Sequence, residues 1–186
     1  MNIIDIKAGT LLGIPKHELP GRSKDILRKL FELVRKYLWV WLIVVSAAML
    51  FQHYFFLGFN TTYSLPQTCF LIKKGLFTPA RGDYMAFRWG GGGPYKEGTY
   101  FTKIVVGLPG DEVTRKGRDF YVNGKYVGTA KTHTKMGDPL EAGRSGTIGE
   151  GEYYVMTPHP DSLDSRYFIT GWIRKEAIIG KAYAVF

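Results

Sequence analysis

Ser64 and Lys103 are the two residues of this sequence whose types could do covalent chemistry together, and they lie 39 residues apart. A serine hydroxyl is almost fully protonated at neutral pH. It becomes a useful nucleophile only when a base within hydrogen-bond reach takes its proton. Ser64 stands just ahead of Pro66 in "NTTYSLPQTCF", residues 60 to 70. Histidine is the usual base, and beyond residue 60 the chain offers His133, in an irregular polar stretch, and His159, between two prolines in "TPHPDSLDSRY". Neither sits on a segment that reads as a strand, and neither is excluded. A lysine can serve if burial lowers its pKa, because desolvation disfavours the ammonium form. In "TYFTKIVVGLPGDEV" strand alternation puts Phe101 and Val105 on the same face as Lys103. A lysine among inward-facing apolar neighbours must find a partner or become neutral. A lysine snorkelling from an edge strand is the alternative.

The elements that would position these groups read as short strands. From residue 60 onward "CFLIKK", "DYMAF", "TYFTKIVVGL", "DFYV", "KYVG", "EYYVMT" and "GKAYAVF" are rich in Val, Ile, Tyr and Phe, and most are bounded by Gly, Pro or Asn. Asn123-Gly124, between two aromatic β-formers in "YVNGKYV", predicts a tight hairpin turn. "WGGGGPYKEG", residues 89 to 98, predicts a loop; a phosphate cradle would need a Lys-Ser/Thr pair and a following helix, and neither is there. Residues 128 to 151 are polar and without periodicity, an excursion at the domain edge. The expectation is a mainly β domain of about 125 residues, large enough to bury a core.

Ahead of it the charge pattern changes abruptly. The first 36 residues hold eight Lys/Arg and four Asp/Glu, and no charged side chain of these types then appears until Lys73. Residues 37 to 59, "YLWVWLIVVSAAMLFQHYFFLGF", have the length and apolarity of a membrane-spanning helix, with Trp39 and Trp41 at one end and Tyr54 and Phe55 at the other as interfacial aromatics. The positive-inside rule puts Arg28, Lys29, Arg35 and Lys36 in the cytoplasm and residues 60 to 186 outside it. In "SKDILRKLFELVRK" the apolar residues recur at helical spacing, which predicts a helix on the inner leaflet, one leading straight into the span, or one packed on a partner. Three parts follow: a basic arm (1–36), a transmembrane helix (37–59) and an extracytoplasmic β domain (60–186). The net charge of +9 suits anionic lipid as a partner as well as nucleic acid; +4 of it lies in the arm, no base-reading motif is present, and nucleic acid is not expected. The single cysteine, Cys69, allows no intrachain disulfide and no cysteine-rich zinc site. It reads as a buried thiol or a pocket-lining one. No cofactor or metal is expected.

Four segments, in order, resemble the boxes of type I signal peptidases. They are "SLP" at Ser64, "RGDYMAF" at residues 81 to 87, "FTKIVVGLPGDEV" at Lys103 and "DSLDSRYF" at residues 161 to 168. The resemblance covers roughly residues 60 to 185. It implies a signal-peptidase-like β fold behind one N-terminal transmembrane helix, and a Ser-Lys dyad with Ser64 as nucleophile and Lys103 as base. It also implies that Asp164 lies near the dyad, placed with the help of Ser165 and Arg166, and that the Thr62 hydroxyl joins the Ser64 N–H in an oxyanion hole. The alternative for Asp164 and Arg166 is an ion pair holding the last strands. The chain departs from housekeeping members, which usually carry Ser-Met-x-Pro, Gly-Asp-Asn-Arg-Asp where this chain has "MTPHP", and an arginine in place of Ile104. The large accessory β domain seen in many of them is not expected within these 186 residues. In Ser-x-Pro spacing and size the chain is more similar to the conjugative-transfer, TraF-type peptidases. The expected activity is a membrane-anchored serine endopeptidase of the bacterial inner membrane. Its expected partner is a precursor protein such as a pilin subunit, cut and in some members cyclised. The alternatives are a general signal peptidase and a non-enzymatic anchored scaffold.

Overall fold

The computed structural model describes residues 21–186; Lys7 and Lys16 of the basic arm lie outside them. The chain divides into two units between Ala48 and Met49. Helix α1 (Gly21–Lys36) and helix α2 (Leu38–Tyr54) come first, separated at Tyr37 and bent by 68°. Among the described residues no single helix is both long and apolar enough to cross a membrane by itself, whereas the bent pair qualifies together. Helix α2 buries no side chain.

The helix expected over residues 37 to 59 stops at Tyr54. Phe55–Phe59 instead form strand β1, paired antiparallel with β2 (Cys69–Lys74) in the register Phe59↔Cys69. Side-chain packing accounts for the difference. Phe56 packs on the cluster of Leu65, Phe70, Ile72, Ala86 and Ala182. Gly58 lets Ile72 approach to where a Cβ would lie 2.7 Å from its Cδ1. An apolar run long enough for a helix is thus shared between a helix and a sheet edge, whose ladder satisfies the same backbone groups.

The remaining strands are β3 (Tyr84–Arg88), β4 (Tyr100–Gly107), β5 (Glu112–Lys116), β6 (Asp119–Val122), β7 (Lys125–Thr129), β8 (Gly146–Thr147), β9 (Glu152–Met156), β10 (Ile173–Arg174) and β11 (Ile178–Ala184). They form a seven-stranded sheet of order β1-β2-β11-β3-β4-β9-β10 and a four-stranded sheet of order β7-β6-β5-β8. Every described pairing is antiparallel. Strand β11, late in the sequence, lies between β2 and β3. Gly180 is required there: a Cβ would sit 1.9 Å from the Lys73 carbonyl oxygen, where β11 shifts register against β3.

The predicted hairpin is present between β6 and β7, with Asn123 at φ 49° and Gly124 at φ 76°, the two left-handed residues that a type I′ turn needs. Residues 89 to 98 form the expected loop. Strand β5 did not stand out in the sequence because it is Glu-Val-Thr-Arg-Lys and buries only Val113. The core has three patches. One, around Phe120, Tyr154 and Tyr167, is built largely from the smaller sheet and β9. A second, around Met85, Phe87 and Val105, lines β3 and β4, and the third lies under β1, β2 and β11.

Candidate active site

Strand β4 buries alternate residues, and its inward row contains Lys103 between Phe101 and Val105. Met85, fully buried, is its cross-strand partner on β3. Lys103 is only 5% exposed. Burial pushes its amine down to about 8; the Asp164 carboxylate opposes the shift and the Arg166 guanidinium adds to it. Its Nζ donates to Ser162 Oγ at 2.5 Å and lies 5.4 Å from the centre of the Phe101 ring. The lysine is therefore held by one neutral hydroxyl and an aromatic face, with no carboxylate among the described residues in contact.

Ser64 lies on the loop between β1 and β2. Tyr63 adopts φ 52°, a left-handed conformation uncommon for a tyrosine, and beyond it Ser64 and Leu65 are both buried while Tyr63 itself is exposed. The loop is closed by Asn60 N donating to Thr68 O at 2.9 Å, and by the Phe186 carbonyl, which accepts from Thr68 N at 2.8 Å and Cys69 N at 2.9 Å. The Asn60 side chain organises the interior of the loop. Its Nδ2 donates to Leu65 O at 2.8 Å and to Gln67 O at 3.0 Å. Both amide protons are thereby used, and Oδ1 must face the hydroxyls. Ser64 Oγ donates to that oxygen at a long 3.5 Å, and Thr62 Oγ1 donates to Ser64 Oγ at 3.2 Å or to Asn60 Oδ1 at 3.3 Å.

Ser64 and Lys103 face one cavity of about 600 Å³, walled by Phe56, Phe59, Tyr95, Phe101 and Leu163 among others. Thr62, Ser162 and His159 also line it. The two groups are not hydrogen-bonded to each other: Ser64 is held by Asn60 and Thr62, and Lys103 by Ser162.

Asp164 does not line this cavity. It is fully buried behind it, in a two-pronged ion pair with Arg166: Nε to Oδ1 at 2.8 Å and Nη2 to Oδ2 at 2.8 Å. Arg166 also donates to the carbonyls of Thr129 and His159. Ser165 Oγ accepts from Val155 N at 3.0 Å and pins the segment to β9. Of the two histidines, His159 lines the cavity with its Nδ1 accepting from Asp161 N at 3.2 Å, while His133 lines a neighbouring cavity of about 310 Å³. Cys69 is a buried free thiol and lines neither.

The sequence reading missed Ser162 and Asn60. The "DSLDSRYF" segment carries two serines, and the one that meets the lysine is Ser162, not Ser165. Asn60 gave no signal beyond standing four residues before Ser64, because its role depends on a loop closed by residues far along the chain.

A mainly β domain with a serine hydroxyl and a desolvated lysine amine on one cavity is a layout suited to a Ser-Lys hydrolase. Residues 30–186 match the family described as signal peptidase, peptidase S26, and the chain belongs to that family. Signal peptidase I of Pseudomonas aeruginosa is 34% identical over 142 residues, covering 58% of this chain and 49% of that one. Signal peptidase I of Bacillus licheniformis is 31% identical over 99 residues, covering 49% and 53%. Signal peptidase IB of Staphylococcus aureus is 35% identical over 98 residues, covering 44% and 50%. The chain thus spans about half the length of the curated relatives it matches. A signal peptidase I structure from Enterococcus faecalis is 29% identical and covers 57% of this chain and 98% of that one, with a TM-score of 0.39.

Proposed function

We propose that the chain is a membrane-anchored serine endopeptidase in which Ser64 is the nucleophile and Lys103 the base. The observation that carries this reading is the pairing of Ser64 with a lysine at about 8 on the wall of a single cavity. Ser64 Oγ leaves its long bond to Asn60, passes its proton to neutral Nζ and bonds to the substrate carbonyl carbon. The oxyanion is met by the Ser64 N–H and the Thr62 hydroxyl. The C–N bond then breaks, with Nζ returning the proton to the leaving amine. The resulting ester is resolved by water, or by the amine at the N-terminus of the same fragment, which closes a cyclic peptide. Ser162 holds the amine in place, and the buried Asp164–Arg166 pair positions the strand segment behind it.

Helix α2 anchors the enzyme in the bacterial inner membrane, with the N-terminus cytoplasmic and the β domain outside. Ser64 then follows the end of α2 by ten residues. The substrate is a membrane-associated precursor protein. The Ser64-Leu65-Pro66 spacing supports a conjugative pilin subunit and the TraF-type branch. The names of the relatives support the broader alternative, removal of signal peptides. The test is precursor processing in membranes containing Ser64→Ala or Lys103→Ala. Both variants should abolish it, and processing undiminished in either variant refutes the dyad. Mass spectrometry of the product separates the substrate readings, because a cyclised pilin is one water lighter than the cut linear chain.

A further inference from the structure

Helix α1 has two chemically distinct faces. At 100° per residue, Ile26, Leu27, Leu30, Phe31, Leu33 and Val34 share one arc roughly 160° wide. Five cations, Lys24, Arg28, Lys29, Arg35 and Lys36, fall on the opposite arc with Asp25 and Glu32. Glu32 is engaged by Arg28 at 3.1 Å, one helical turn away, so the polar face remains cationic. The six apolar side chains are 43–67% exposed. Among the described residues nothing covers them.

We propose that α1 lies flat in the surface of the cytoplasmic leaflet, with anionic lipid headgroups as its partner, and that α2 alone enters the hydrocarbon. This rests on the membrane-anchor reading of α2. Three observations support it. The density of charge on α1 is incompatible with the bilayer centre, while its apolar arc is too wide for water; a helix with both properties belongs at the interface. The 68° bend turns α1 out of the direction of α2, leaving it roughly 20° off the bilayer plane when α2 stands upright. The corner itself carries interfacial chemistry: Tyr37 is the break, Lys36 Nζ lies 5.4 Å from the centre of its ring, and Trp39 and Trp41 follow. The excess positive charge selects the anionic inner leaflet over a zwitterionic one. The bent pair therefore acts as one surface helix and one short span: the 17 residues of α2 are at the lower limit for crossing the hydrocarbon, and the bilayer thins locally around them.

The full chain, in a Cys69→Ser background, is labelled with a nitroxide at Leu30→Cys, Glu32→Cys or Val45→Cys and placed in nanodiscs. The discs contain phosphatidylcholine alone or a mixture with phosphatidylglycerol. Accessibility to oxygen, which concentrates in lipid, is compared with accessibility to a water-soluble nickel chelate. In the mixed discs the oxygen-to-nickel ratio should be highest at residue 45, intermediate at 30 and several-fold lower at 32. The contrast between 30 and 32 should shrink without the anionic lipid. Residues 30 and 32 both deep in lipid would make α1 part of the span and overturn the proposal. Both in water, or residue 30 shielded from both reagents in either lipid, would overturn it in favour of a free helix or a protein-covered one. Residue 45 in water would overturn the anchor reading itself, a result separable from the others by that label alone.

Discussion

At Lys103 the burial that lowers the amine's pKa also costs the fold stability. Below pH 8 the lysine is protonated in both folded and unfolded chains, and the folded state carries the whole penalty of desolvating the charge. Between about 8 and the ordinary 10.5 the unfolded chain binds the extra proton, so this contribution makes stability rise with pH. The displacement corresponds to about 3 kcal/mol. Lys103→Met should therefore be inactive and yet unfold later than the wild type at pH 7 in detergent, by up to about 3 kcal/mol, with the gap closing as pH approaches 10. The wild-type rate should climb as pH rises through about 8, as a base of that pKa requires. The Thr62 hydroxyl lends itself to a separate measurement. Thr62→Val should lower kcat on the order of 10²-fold with KM little changed, and Thr62→Ser should restore most of it. That Lys103 would be buried among apolar neighbours, and that Ser64 would stand at a turn, could be read locally, from an isolated charge in an apolar alternation and a serine ahead of a proline. Ser162 and Asn60 were not, since what distinguishes them is a partner that only the folded chain supplies.

Among the elements, strands whose apolar residues alternate, such as β4 and β6, could be read from their own sequence. Strand β1 could not: Phe-Phe-Leu-Gly-Phe continues an apolar helix without a break in composition, and only its pairing with β2 makes it a strand. Strand β8 has two residues and β10 two, too short to carry any periodicity. Gly180 shows how closely these strands approach. Gly180→Ala would drive a methyl group into the backbone of β2, and thermal unfolding should show a loss of about 2–3 kcal/mol or more. Because β11 does not reach the cavity wall, the variant's remaining folded fraction should keep its KM.

For the whole molecule, the order of elements in space differs from their order in sequence. The Ser64 loop follows β1, Lys103 sits on β4, and β11, which closes the sheet between the two regions, comes last in sequence among the described strands. The Phe186 carbonyl then ties the loop after Ser64. Contacts this far apart along the chain form slowly. A polypeptide still emerging from the ribosome would carry its serine and its lysine on an unclosed sheet with the loop untied. On the proposed function, an unfinished chain would therefore hold its candidate nucleophile on an untied loop until synthesis has reached Phe186.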